Sequence, residues 1–103
     1  MGNEIEELKA EIREFAAARD WEQFHTPKNL AMAITGEAGE LAAEFQWLTA
    51  DQSALGSLSA DKLEAISLEI ADVQIYLLRL VDVLGIDVVD AVRRKIEINE
   101  ERF

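Results

Sequence analysis

Apolar residues recur at helical spacing along most of this chain. Ile5, Leu8, Ile12 and Phe15 fall three or four apart and predict a first helix over about 4–20. A second stripe, Leu30, Ile34, Leu41, Phe45 and Leu48, predicts a helix over about 27–48. Thr26 can cap that helix, and Pro27 at its first position loses no needed hydrogen bond. Residues 51–59 carry Ser, Gly and Gln with no period and read as a loop. The segment over about 59–84 is apolar nearly all round, from Ile66 and Leu68 through Ile70, Val73, Ile75, Leu77 and Leu78 to Val81, which predicts a buried helix. Ser59 can cap it and Gly85 can stop it. Asp87 then caps a fourth helix over about 88–102, and the short link Gly85–Asp87 predicts that the third and fourth helices lie as antiparallel neighbours. The expected architecture is all-α: one four-helix bundle, a single domain over 1–103.

Composition fits that picture. Half of the 103 residues are hydrophobic, and one Pro with five Gly leaves little punctuation for many short strands. The formal net charge of −11 would repel DNA or RNA, so no nucleic-acid partner is expected. The same charge admits a triphosphate only if a divalent cation accompanies it, while an acidic surface also serves solubility alone. No Cys is present, which excludes disulfides and thiolate zinc sites and suits a cytoplasmic protein. Met1–Glu11 carries Glu4, Glu6, Glu7 and Glu11 and lacks the form of a signal peptide. The longest apolar stretch, Ile66–Leu84, is interrupted by Glu69, Asp72, Arg79 and Asp82, so no membrane span or membrane partner is expected.

Those interruptions carry the candidate chemistry. Glu37 and Glu40 are three apart on the second predicted helix, and Glu69 and Asp72 are three apart on the third. Such pairs sit one turn apart on one side of a helix. Two pairs on packed helices can aim four carboxylates at one spot, an all-oxygen cage suited to Mg²⁺ or Mn²⁺. Position sharpens this. Glu37 falls within about 20° of Leu30 around the helix, on the apolar stripe. A buried carboxylate needs a proton, a cation or a metal, and Arg79 is the only basic residue between Leu63 and Val92. Glu44, one turn beyond Glu40, is open to three readings: a further ligand, a general base or a boundary residue. The only His, His25, lies outside both pairs, which argues against the Glu-x-x-His pattern of a di-iron bundle.

Trp21, Phe24 and His25 cluster just before the second helix, Trp47 lies near its end, and Tyr76 is one turn beyond Asp72. They can form a stacking pocket for a nucleobase or simply pack the helix ends. Lys95 and Asn99 share a face with Val88 and Val92; a Lys there can reach a phosphate or snorkel to water. Gly36 and Gly39 weaken the second helix by about 1 kcal/mol each relative to Ala, so close approach of a ligand, a backbone or a crossing helix is expected there.

Taken together, the stretches RDWEQFHTPKNL (19–30), GEAGELAAEFQW (36–47) and EIADVQIYL (69–77), with the tail around Lys95 to Asn99, resemble the MazG-like, all-α nucleoside triphosphate pyrophosphohydrolase family, in its dCTP pyrophosphatase branch. The resemblance runs from about Phe15 to the end. It implies a four-helix bundle of that family's type and Mg²⁺-dependent hydrolysis of a (deoxy)nucleoside triphosphate, a pyrimidine such as dCTP, to monophosphate and pyrophosphate. It implies Glu37, Glu40, Glu69 and Asp72 as metal ligands, with Glu37 or Glu40 acting on the attacking water. It implies Trp21, His25, Trp47 and Tyr76 around base and sugar, with Lys95 and Asn99 approaching the nucleotide. Homodimers or homotetramers, with sites built across subunits, are implied as well. The chain departs from the dCTP branch in carrying Ile12 where that branch tends to place a His. The competing expectation is a non-enzymatic helical module whose acids form a docking face.

Overall fold

Local capping chemistry places every helix start. In the computed structural model, which describes residues 3–103, Asn3, Thr26, Ser59 and Asp87 each accept a hydrogen bond from the backbone N–H three residues on, at 3.1–3.3 Å. They open α1 (Glu4–Ala18), α2 (Pro27–Ala43), α3 (Ala60–Leu84) and α4 (Val88–Arg102). Short 3-10 turns cover Glu22–Phe24 and Leu55–Ser57, and no strand occurs among the described residues. The all-α expectation holds.

Two helices end earlier than their apolar stripes. α1 stops at Ala18, not at residue 20, because Asp20 is left-handed (φ 57°) and the Trp21 N–H folds back to the Ala16 carbonyl at 2.9 Å. α2 stops at Ala43, not at residue 48. Beyond it the N–H groups of Phe45 and Leu48 bond three residues back, to Ala42 and Phe45. Thr49 then starts a new turn: its N–H bonds the Gln52 Oε1 at 2.9 Å and its hydroxyl accepts from the Gln52 N–H at 3.2 Å. A reciprocal cap at Thr49 competes with continuation of α2, and apolar spacing does not register that competition.

α2 and α3 form the main packed pair. Glu37 meets Glu69 and Asp72, while seven residues on Glu44 pairs with Lys62 at 2.9 Å, so the two helices run antiparallel. α1 also runs antiparallel to α3: Arg13 binds Asp82, and Phe15 and Ala16 share a cavity with Ile75 and Tyr76. The buried apolar residues are few: Ala16 on α1, Leu30 on α2, and Ile66 and Leu78 on α3.

α4 corrects the expectation of close antiparallel packing on α3. Gly85 takes the left-handed cap (φ 67°), and the Ile86 N–H closes on the Val81 carbonyl at 2.9 Å. The chain then leaves α3 at an open groove of about 580 Å³, walled by Leu77, Leu78 and Val81 on α3 and by Val89, Val92 and Ile96 on α4. Val92 and Ile96 remain 52% and 51% exposed. The expectation that α3 is buried all round is corrected too, since Leu68 and Ile70 stay 58% and 46% exposed. The radius of gyration is 16.3 Å, whereas a compact domain of this length would have about 13 Å. No helix among the described residues is long and apolar enough to cross a membrane.

Among the described residues Gly85 is the one glycine whose backbone disfavours a side chain, because its φ is positive although an added Cβ would meet nothing within 4 Å. Replacing Gly85 with Ala should therefore cost stability through the backbone alone, about 1 kcal/mol. Urea unfolding should show a lower midpoint with unchanged slope; an unchanged midpoint would refute the strain argument.

Candidate functional site

The α2–α3 pairing brings three of the four expected acids together. Glu37 from α2 and Glu69 and Asp72 from α3 each offer an oxygen, all within 4.8 Å of one another. Glu37 and Glu69 are half-buried. Glu40 is exposed and stands outside this group, near enough to act on Glu69 through charge alone. Among the described residues no Lys, Arg or His forms an ion pair with Glu37, Glu40, Glu69 or Asp72. Burial, then the negative charges of Asp72, Glu40, Glu37 and Glu44, push the Glu69 carboxyl above its ordinary range. Hard oxygen donors, mutual repulsion and the lack of a protein cation together fit a divalent metal ion. Glu44, for which three roles stood open, is engaged with Lys62 at 2.9 Å, as a boundary ion pair.

A cavity of about 250 Å³ adjoins two of the acids. Glu37, Asp72, Tyr76, Trp21 and His25 line it, together with Ile12, Phe15, Ala16, Ile75 and Arg79. α1, the turn before α2, and both acid-bearing helices thus contribute to one site. Phe15 and Trp21 meet edge to face with ring centroids 5.6 Å apart, and the Arg19 guanidinium lies 3.5 Å over the Phe15 ring. The His25 ring is tilted against Trp21, centroids 6.3 Å apart. Its Nδ1 accepts a hydrogen bond from Arg79 Nε at 3.1 Å. Burial, then the positive charge of Arg79, lower the His25 pKa. Ile12, the point of departure from the dCTP branch, is in the cavity wall.

Three expected residues are not brought to this cavity within one chain. Trp47 lies in the turns after α2 and is 87% exposed. Lys95 and Asn99 lie on α4, beyond the open groove. Gly36 and Gly39 face open space, with nothing within 4 Å of an added Cβ, so no helix crossing in this chain accounts for them. Sequence reasoning missed Arg79, the buried guanidinium at the cavity wall. A signal existed: Arg79 is seven residues from Asp72, within about 20° of it around the helix.

An antiparallel α2–α3 pair carrying a carboxylate cluster beside an aromatic cavity defines a helical protein with a candidate metal site. The family model described as MazG-like matches residues 32–103. Over 99 residues the chain is 42% identical to dCTP pyrophosphatase 1 of Homo sapiens, covering 96% of this chain and 58% of that protein. It is 39% identical to dCTP pyrophosphatase 1 of Bos taurus, with 96% and 59% covered. The chain thus spans under two thirds of the length of these relatives. A crystal structure of a pyrophosphatase from Archaeoglobus fulgidus superposes with a TM-score of 0.90 at 42% identity, over 100% of this chain and 94% of that one. The chain belongs to the MazG-like family.

The raised Glu69 carboxyl has a pH consequence with a definite sign. A carboxyl whose folded pKa exceeds its unfolded value contributes stability below the unfolded pKa, and this is lost as pH rises through the folded pKa. Thermal melts of wild type and Glu69→Gln should therefore diverge between about pH 4 and pH 7, the variant becoming relatively more stable. Millimolar Mg²⁺ or Mn²⁺ should raise the wild-type Tm by mass action and raise that of Asp72→Asn less. Equal cation responses in the two proteins would remove the metal reading.

Proposed function

We propose that this protein hydrolyses a (deoxy)nucleoside triphosphate, dCTP or a related pyrimidine nucleotide, to monophosphate and pyrophosphate, cleansing the cytoplasmic nucleotide pool. The observation that carries the reading is the convergence of Glu37, Glu69 and Asp72 beside a cavity walled by Trp21, His25 and Tyr76. The names of the dCTP pyrophosphatase 1 relatives and of the Archaeoglobus fulgidus pyrophosphatase support it.

In this reading Glu37, Glu40, Glu69 and Asp72 hold Mg²⁺, or Mn²⁺ in its place; Glu40 joins the other three by a change of rotamer. A divalent ion there would offset phosphate charge and stabilise the charge that develops at the reacting phosphoryl group. Glu37 or Glu40 orients water and accepts its proton as the water oxygen bonds to the α-phosphorus. The bond from that phosphorus to the bridging oxygen breaks, and pyrophosphate leaves. Trp21 and Tyr76 supply stacking surface and His25 a polar contact to base or sugar.

Trp47, Lys95 and Asn99 enter the site from another copy of the chain in a homodimer or homotetramer. Two observations favour this: the apolar groove between α3 and α4 lacks a cover, and Gly36 and Gly39 face open space beside the acids. The acidic docking module is the second reading; it requires neither turnover nor a cation response.

Incubation with dCTP, dUTP, dTTP and dATP plus Mg²⁺, followed by separation of products, tests the reaction. Monophosphate and pyrophosphate are expected; diphosphate and phosphate would overturn the reaction class. Glu37→Gln and Asp72→Asn should each lower kcat by at least about a hundredfold while leaving the helical circular dichroism intact. Sedimentation should give a dimer or tetramer, and Ile96→Glu in the groove should dissociate it; a monomeric wild type would refute the assembly.

A further inference from the structure

Two turns along α3 from Asp72, the cavity wall holds a buried cation. Arg79 is 7% exposed and is hydrogen-bonded on two sides. Its Nε donates to His25 Nδ1 at 3.1 Å, and its Nη1 donates to Asp82 Oδ2 at 3.4 Å. Asp82 is held in turn by Arg13 of α1, whose Nε and Nη2 reach its two carboxylate oxygens at 2.8 Å each. That paired, charge-assisted contact fixes the carboxylate, and the carboxylate fixes the guanidinium.

A guanidinium has donors only and does not lose its proton in a protein. The nitrogen that accepts from Arg79 must therefore carry a lone pair, so the neutral imidazole keeps its proton on Nε2. Among the described residues no protein acceptor meets Nε2, and no buried side-chain nitrogen or oxygen lacks a partner. Nε2–H is thus open to solvent, on a residue that lines the cavity.

We infer that Arg79 is a positioning residue that holds His25 as the Nε2–H tautomer, so that His25 meets the bound ligand as a hydrogen-bond donor and selects for an acceptor atom on its base or sugar. Arg79 acts through His25, and Arg13 and Asp82 hold Arg79 in register. Glu37 of α2, Asp72 and Asp82 of α3, and Arg13 and Lys9 of α1 are the charged groups around this arrangement. The identity of the ligand rests on the proposed function; the tautomer does not.

His25 is the only histidine of the 103 residues, so nitrogen-15 NMR of this chain shows a single imidazole. At neutral pH the wild type should give a protonated Nε2 and an unprotonated Nδ1 in one tautomer. A proton on Nδ1, or a fully protonated ring, overturns the proposal without any variant. Arg79→Met should give a mixture of tautomers and raise KM for dCTP on the order of tenfold, the size of one hydrogen bond, with kcat changed much less. His25→Ala should raise KM by as much, and adding Arg79→Met to it should do nothing further. A double variant clearly worse than His25→Ala would make Arg79 a direct ligand contact and overturn the positioning role. Absence of any turnover would sink the proposed reaction and leave the tautomer result standing; turnover with the wrong tautomer would do the reverse.

Discussion

Packing of α2 along α3 forces like charges together, and much of the site follows from how that repulsion is left unanswered. Three carboxyl oxygens within 4.8 Å lack an ion-pair partner. The nearest Lys on α3, Lys62, is spent on Glu44 two turns away. The acids face one another from two helices whose packing holds Leu30 and Ile66 in the small core. The cost of gathering them is carried by the same contacts that keep the chain folded, and a divalent cation is the species that would offset it.

Further along α3 the charged groups of the cavity wall meet protein partners. Arg13, Asp82, Arg79 and His25 form one hydrogen-bonded line from α1 through α3 to the turn before α2. Hydrogen bonding from Arg13 holds the Asp82 carboxyl below its ordinary range, so this stabilisation is present above the unfolded carboxyl range and is lost as pH falls through the depressed one. Arg13, Arg79 and Asp82 thus have protein partners, whereas Glu37, Glu69 and Asp72 have no ion-pair partner among the described residues. Glu37, Asp72, His25 and Arg79 line the same cavity as the rings of Trp21 and Tyr76.

The open face of α4 is the counterpart of the small core. Val92 and Ile96 are each about half exposed, and the groove they border is almost wholly apolar. With a radius of gyration of 16.3 Å, the chain leaves surface uncovered that a monomer of this size would bury. Lys95 and Asn99 lie on that same helix.

The helix starts were legible in the sequence because capping is local: Thr26, Ser59 and Asp87 act on a backbone group three residues away. So was the pairing of Glu37 with Glu69 and Asp72, since helical periodicity put acids on stripes that had to meet. The end of α2 was not, because Thr49 and Gln52 cap each other and halt a stripe that runs on to Leu48. Nor was the separation of α4 from α3, since a short link constrains distance and leaves direction free. Arg79 shows the same limit. In sequence it is the only basic residue between Leu63 and Val92; only the tertiary structure supplies the His25 ring on one side and, on the other, the Arg13 that fixes the Asp82 carboxylate, because His25 and Arg13 come from elements far from Arg79 in the chain.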